Sequence, residues 1–285
     1  MSHLSQNSTI AGCTAWNEMC MIYNTYDDEG ELMFKTIAAI TAFIMCMLTV
    51  QLPVHSAPLK KDRQYYEQRG DIIWEVKTKQ KIIALTFDDG PDPRQTTEIL
   101  ELLKQYGAHS TFFVIGKRVD RYPGIVKQIV DEGHEIANHT YNHLYFDRNT
   151  STIRIKDEIV QTQQAIQKAA NYQATLFRPP GGKYNDNIIN TAKRLHLKSI
   201  MWSWHQDTKD WSLPGVNKIV DKVLHNAQNG DIVLFHDYVH GRTQTIAALQ
   251  RILPELKKQG YQFVTVTELL RHSGSQLVDL QPDVK

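Results

Sequence analysis

Two adjacent carboxylates, Asp88 and Asp89, close the apolar run Ile82-Ile83-Ala84-Leu85-Thr86-Phe87, and Gly90-Pro91 then turns the chain. A run of this length with β-branched residues predicts a buried strand. Two acids at the mouth of a buried strand require a metal ion, an arginine or a shared proton. Asp-Gly and Gly-Pro are also ordinary turn chemistry, so the pair acquires meaning only together with reactive residues farther along the chain. His139-Thr140-Tyr141-Asn142-His143 puts two imidazoles four positions apart, close enough on a helical turn or tight loop to reach one ion. Two histidines and one carboxylate with open positions form the ligand set of a catalytic zinc or a non-haem iron(II) site. With water in the open position, such a metal lowers the water's pKa and polarises a carbonyl. One aspartate then suffices for the metal, and the other is free to act as general base, held ionised by an arginine such as Arg178. His236 is available as a proton donor, and an acid such as Asp210 would orient it and keep it charged.

Strand-like and helix-like stretches alternate from residue 81 onward. Strands are expected at 82–87, 110–115, 134–138, 175–178, 198–204, 231–236 and 262–266. Helices are expected at Gln95–Gln105, with Ile99, Leu102 and Leu103 on one face, and at Pro123–Asp131, Thr152–Ala170, Asn185–Leu195, Val216–Asn226 and Thr243–Lys258. Gly107, Gly133, Gly230 and Gly260 follow several of these as helix stops. Repeated strand–helix order predicts parallel strands in an α/β barrel. The reactive residues fall at strand ends: Asp88 and Asp89 after the first strand, His139 and His143 after the third, Arg178 at the fourth, Asp207 and Asp210 after the fifth, His236 at the sixth. In a barrel of parallel strands these ends share one face.

The 285 residues carry a formal net charge of +1, which leaves no basic footprint for nucleic acid. Cys13, Cys20 and Cys46 all precede residue 60, so the main domain has no disulfide and no cysteine metal site. Residues 36–50 are apolar and uncharged, and Lys35 precedes them. The segment 33–57 reads as a signal peptide, with a cut after Ser56, or as a membrane anchor through residues 36–54. Either places the domain outside the cytoplasm, secreted or associated with wall or membrane. Residues 1–32 read as a non-native or unstructured leader, with Met33 the true start. Residues 58–80 read as a linker or N-terminal decoration, 81–272 as the catalytic domain and 273–285 as a tail.

The segments Thr86-Phe87-Asp88-Asp89-Gly90, His139-Thr140-Tyr141-Asn142-His143, Arg178-Pro179-Pro180-Gly181, Asp207-Thr208-Lys209-Asp210-Trp211 and Leu234-Phe235-His236 occur in the order seen in the NodB-homology polysaccharide deacetylases, carbohydrate esterase family 4. The chain resembles that family over roughly residues 80 to 270. The resemblance implies a distorted (β/α)7 barrel and a divalent metal, Zn2+ or Co2+. It implies Asp89, His139 and His143 as metal ligands, Asp88 as the base that activates water and His236 as the acid for the leaving amine. Arg178 would orient Asp88, and Asp210 would pair with His236. Trp211 and Leu234 would wall the pocket for the acetyl methyl, and the Gly181 amide would complete an oxyanion site. Many relatives have Tyr after Arg-Pro-Pro, whereas this chain has Gly181-Gly182-Lys183-Tyr184. The aromatic wall is therefore expected to be missing unless Tyr184 swings in, and the double glycine is expected to open that side of the groove. His134, His109, His196 and His225 read as structural, and Trp202 and Trp204 as core residues of a strand.

The implied reaction is N-deacetylation of an N-acetylglucosamine-containing glycan, peptidoglycan or chitin-like oligomers. The rivals are an O-acetyl esterase of acetylxylan type and a glycan-binding protein without catalysis. An iron(II) oxygenase fits the ligand set, but its usual β-sandwich conflicts with the strand–helix alternation.

Overall fold

Ile82–Asp88 forms a strand in which all seven residues are buried, as expected of a run covered on both faces. It belongs to a curled sheet in the computed structural model, which describes residues 61–241 and 243–273. The strands are β1 (Ile72–Ile73), β2 (Ile82–Asp88), β3 (Thr111–Val114), β4 (Glu135–Asn138), β5 (Leu176–Phe177), β6 (Lys198–Ile200), β7 (Ile232–His236) and β8 (Gln262–Phe263). Their order is β1-β6-β5-β4-β3-β2-β7, every ladder is parallel, and β8 pairs with the start of β2. This is the distorted (β/α)7 barrel. Among the described residues no ladder closes β1 onto β7. The Ser203 hydroxyl bridges the gap, accepting from the Ile232 amide and donating to the Trp74 carbonyl.

The helices are α1 (Arg63–Gln68), α2 (Gln95–Gln105), α3 (Gly116–Arg121), α4 (Pro123–Asp131), α5 (Thr152–Ala170), α6 (Asp186–Arg194), α7 (Val216–Leu224), α8 (Thr245–Lys258) and α9 (Val266–Arg271). Ile99, Leu102 and Leu103 of α2 are buried on the expected face. Ser151 and Asn185 cap α5 and α6 by accepting the Arg154 and Ile188 amides. One apolar cluster, with Leu85, Phe87, Phe112 and Phe235, packs the sheet against the helices. A second, with Ala84, Phe113, Ala137 and Leu176, fills the barrel and includes Val266, Leu269 and Leu270 of α9.

Of the two expectations for residues 58–80, the packing of 61–80 fits the N-terminal decoration rather than the linker. Helix α1 and strand β1 belong to the domain: β1 pairs with β6, and Tyr66, Ile72 and Trp74 pack with Ile189 and Met201. The charged residues between these aromatics masked the pattern. Strand β6 also ends earlier than expected, at Ile200. Trp202 is half-buried, and Trp204 is 66% exposed on a 3-10 turn rather than in the core. The expected leader, signal or anchor segment, and the tail beyond residue 273, lie outside the described residues.

Candidate active site

Strand register sets the geometry of the site. Asp88 is opposite His236 on β7 and Phe113 on β3, so the two candidate proton-transfer groups stand side by side at one sheet end. Asp89 follows in the left-handed region, φ 77, and turns its carboxylate toward the loop after β4. Asp89 Oδ1 lies 3.0 Å from His143 Nε2 and 3.4 Å from His139 Nε2. These three residues can each offer one ligand atom to a common ion.

The loop holding the two histidines is fastened from beneath by residues that no motif named. Asn138 Oδ1 accepts the Thr140 amide. Glu158 of α5, fully buried, accepts the Tyr141 and Asn142 amides and the Asn142 side-chain amide. These bonds hold a strained loop, in which Thr140 and His143 have φ of 67 and 55. His139 Nδ1 lies 2.7 Å from the Arg178 carbonyl. A carbonyl only accepts, so Nδ1 carries the proton and Nε2 of the neutral ring presents a lone pair. Asp89 Oδ1 is buried and makes no hydrogen bond. A carboxylate oxygen and two imidazole nitrogens thus converge, and this donor set fits a divalent cation.

Arg178 is wholly buried and donates to Asp88 Oδ1 at 2.7 Å, to Thr86 Oγ1, and to the Ile200 and Met201 carbonyls. Its guanidinium lies over the Phe113 ring. Burial lowers its pKa and Asp88 opposes that shift. Asp210 is the corresponding partner of His236. Its Oδ1 accepts His236 Nδ1–H at 2.7 Å and the Trp211 amide, and its Oδ2 accepts the His236 amide and the Thr245 hydroxyl. Burial opposes protonation of His236, but Asp210 outweighs it, and the pKa is raised to about 9.

A cleft of about 460 Å³ opens over these groups, lined by Asp88, Asp89, His139, His143, Gly181, Trp211, Leu234 and His236. A larger groove beside β1 carries no histidine and none of these residues. In the turn after Arg178 the prolines have no N–H, and the Gly182 and Lys183 amides donate to the Pro179 and Pro180 carbonyls. Gly181 supplies the turn's remaining N–H.

Over residues 75–200 the sequence matches the family model described as polysaccharide deacetylase. A peptidoglycan-N-acetylglucosamine deacetylase of Bacillus cereus is 53% identical over 210 residues, 74% of this chain and 98% of that protein. The chain belongs to the polysaccharide deacetylase family. The deacetylase is also similar to the crystal structure of the Bc1960 peptidoglycan N-acetylglucosamine deacetylase, with TM-score 0.69 and 31% identity over 77% of this chain and all of that one. A family 4 acetyl xylan esterase from Clostridium thermocellum, in complex with a cobalt ion, matches with TM-score 0.62 and 35% identity, over 67% of this chain and 91% of that one.

The aromatic rings beside Gly181 and Gly182 are Tyr145 and Trp202. Tyr184 does not swing into the cleft: its ring packs edge-on against Tyr66 and Trp74, in the cluster that binds α1 to the domain. Nor does the double glycine open the groove. A Cβ on Gly181 would meet Tyr145 Cε1 at 2.6 Å, and one on Gly182 would meet Trp202 Cη2 at 2.6 Å. Both rings line the cleft, as does Asp207. Motif reading also passed over Asp237. It is buried behind the Asp88–Gly90 turn, donates its amide to the Asp88 carbonyl and accepts the Thr96 hydroxyl. Burial pushes its pKa up to about 7.

Proposed function

We propose that this enzyme removes acetyl groups from N-acetylglucosamine units of peptidoglycan, using a divalent metal held by Asp89, His139 and His143. The observation that carries the reading is the donor set: an unpaired buried Asp89 Oδ1 facing two imidazole Nε2 atoms, with Asp88 and His236 beside it. The similarity to a peptidoglycan-N-acetylglucosamine deacetylase supports the choice of glycan.

When bound, the metal supplies Lewis-acid polarisation and lowers the pKa of water. Asp88, oriented by the Arg178 hydrogen bond, takes the proton of the attacking water. The Gly181 N–H receives the charge that develops on the amide oxygen. His236, with Nδ1–H committed to Asp210, donates from Nε2 to the sugar nitrogen as the C–N bond breaks. Acetate and a free amino sugar leave. Peptidoglycan lies outside the cytoplasm, and the apolar stretch at 36–50 is consistent with export there.

The test is acetate release from purified peptidoglycan and acetylated chito-oligomers, with full-length protein stripped of metal and reloaded with zinc or cobalt. Release restored by metal and reduced by about 10²–10⁴ in Asp88→Asn supports the reading. Release from acetylated xylan alone would replace it with the esterase reading. Release from none of these polymers, with metal bound, would overturn it.

A further inference from the structure

We infer that Tyr145 is the platform on which the N-acetylhexosamine ring beside the metal-ligand residues stacks, and that position 181 is glycine because the Tyr145 ring occupies the volume a side chain there would need. The inference rests on the glycan-deacetylase reading and adds a specificity-determining residue to it.

Tyr145 is 60% exposed, yet its neighbours anchor it. Phe146 is buried with Ile155, Ile159 and Phe177, and Leu144 packs against the same cluster. The ring stands edge-on to His143, with centroids 5.0 Å apart and planes at 89°. Its Cε1 edge lies over Gly181, where an added Cβ would approach to 2.6 Å. Trp211, 58% exposed, lines the same cleft. Two large aromatic side chains exposed on one cleft, among carboxylates and imidazoles, suit a ligand with apolar ring faces and a polar rim. A pyranose has that chemistry. Tyr145 follows His143 by two residues, so any sugar it holds is placed at the metal-ligand loop.

The alternative is that Tyr145 only props His143. Zinc-loaded full-length wild type, Tyr145→Ala and Tyr145→Phe are compared for chitotetraose binding by calorimetry, for kcat and KM of acetate release, and for zinc affinity. Tyr145→Ala should raise Kd and KM roughly three- to tenfold, the range of one aromatic contact. Tyr145→Phe, which retains the ring, should stay within about twofold of wild type. Gly181→Ala should weaken binding more with Tyr145 present than in Tyr145→Ala, because strain at φ +63 is common to both backgrounds and cancels in the cycle. A loss confined to kcat and zinc affinity, or an unchanged Kd, would overturn the inference. If wild type binds the tetramer in a Tyr145-dependent way but releases no acetate from any glycan, the deacetylase reading falls and the platform stands.

Discussion

Arg178 Nη1 lies 2.7 Å from Asp88 Oδ1, and the two side chains are 0% and 5% exposed. A buried pair of this kind punishes removal of one partner far more than its net contribution to stability suggests. Arg178→Ala would leave the buried Asp88 carboxyl without its guanidinium partner and strand the Ile200 and Met201 carbonyls. We expect a loss of about 3–5 kcal/mol in urea unfolding. Arg178→Lys keeps the charge but cannot fork to Thr86, Asp88 and two carbonyls at once. A change below about 0.5 kcal/mol for Arg178→Ala, the range of an ordinary surface substitution, would refute the network as drawn.

The alkaline limb of kcat/KM should report His236. The group must be protonated to act as an acid, and its pKa is raised to about 9, so activity should fall as pH rises through that value. Asp210 is the main cause of the rise, so Asp210→Asn should move the limb to lower pH. The same shift has a stability consequence. The raised folded pKa contributes stability that is complete below about pH 6.5, the ordinary imidazole value, and is lost as pH rises through about 9. A limb that stays in place in Asp210→Asn would assign it to another group.

Glu158 should control metal affinity without touching the metal. Its carboxylate holds two backbone amides of the histidine loop, and Glu158→Ala would leave those amides without it. Supporting contacts of this kind typically change metal affinity by about 10–100-fold. Competition with a chelator measures this directly. Retained zinc affinity in a folded Glu158→Ala protein would show that the loop keeps its shape unaided.

Gly90→Ala should be destabilising because its Cβ would sit 2.0 Å from Asp237 Oδ2. Overpacking costs roughly 1–3 kcal/mol at a packed site. Asp237→Ala in the same chain should relieve part of that clash, so the two substitutions should combine less than additively. Additive thermal shifts would mean that the turn moves away from Asp237 instead.

The strands and helices of the main domain were legible because buried parallel strands and amphipathic helices repeat with regular periods. Ile82–Asp88 and Gln95–Gln105 are clear cases. The segment 61–80 was not legible, since β1 is two residues long and is a strand only because β6 lies beside it. Trp202 and Trp204 alternate like strand residues, but the ladder stops at Ile200, and alternation alone cannot say where pairing ends.

By itself the sequence determined which chemical groups exist and that they recur at strand ends: Asp88, Asp89, His139, His143, Arg178, Asp210 and His236. Chain order is enough for this, because each group follows an apolar run that reads as a strand. Only the tertiary structure decided which groups meet. Parallel register set Asp88 against His236, the Arg178 carbonyl fixed the His139 tautomer, and Glu158 reached the histidine loop from a different element. It also decided that Tyr145, rather than Tyr184, fills the space beside Gly181. These are contacts between residues distant in sequence or on separate elements, and they depend on packing that no local pattern encodes.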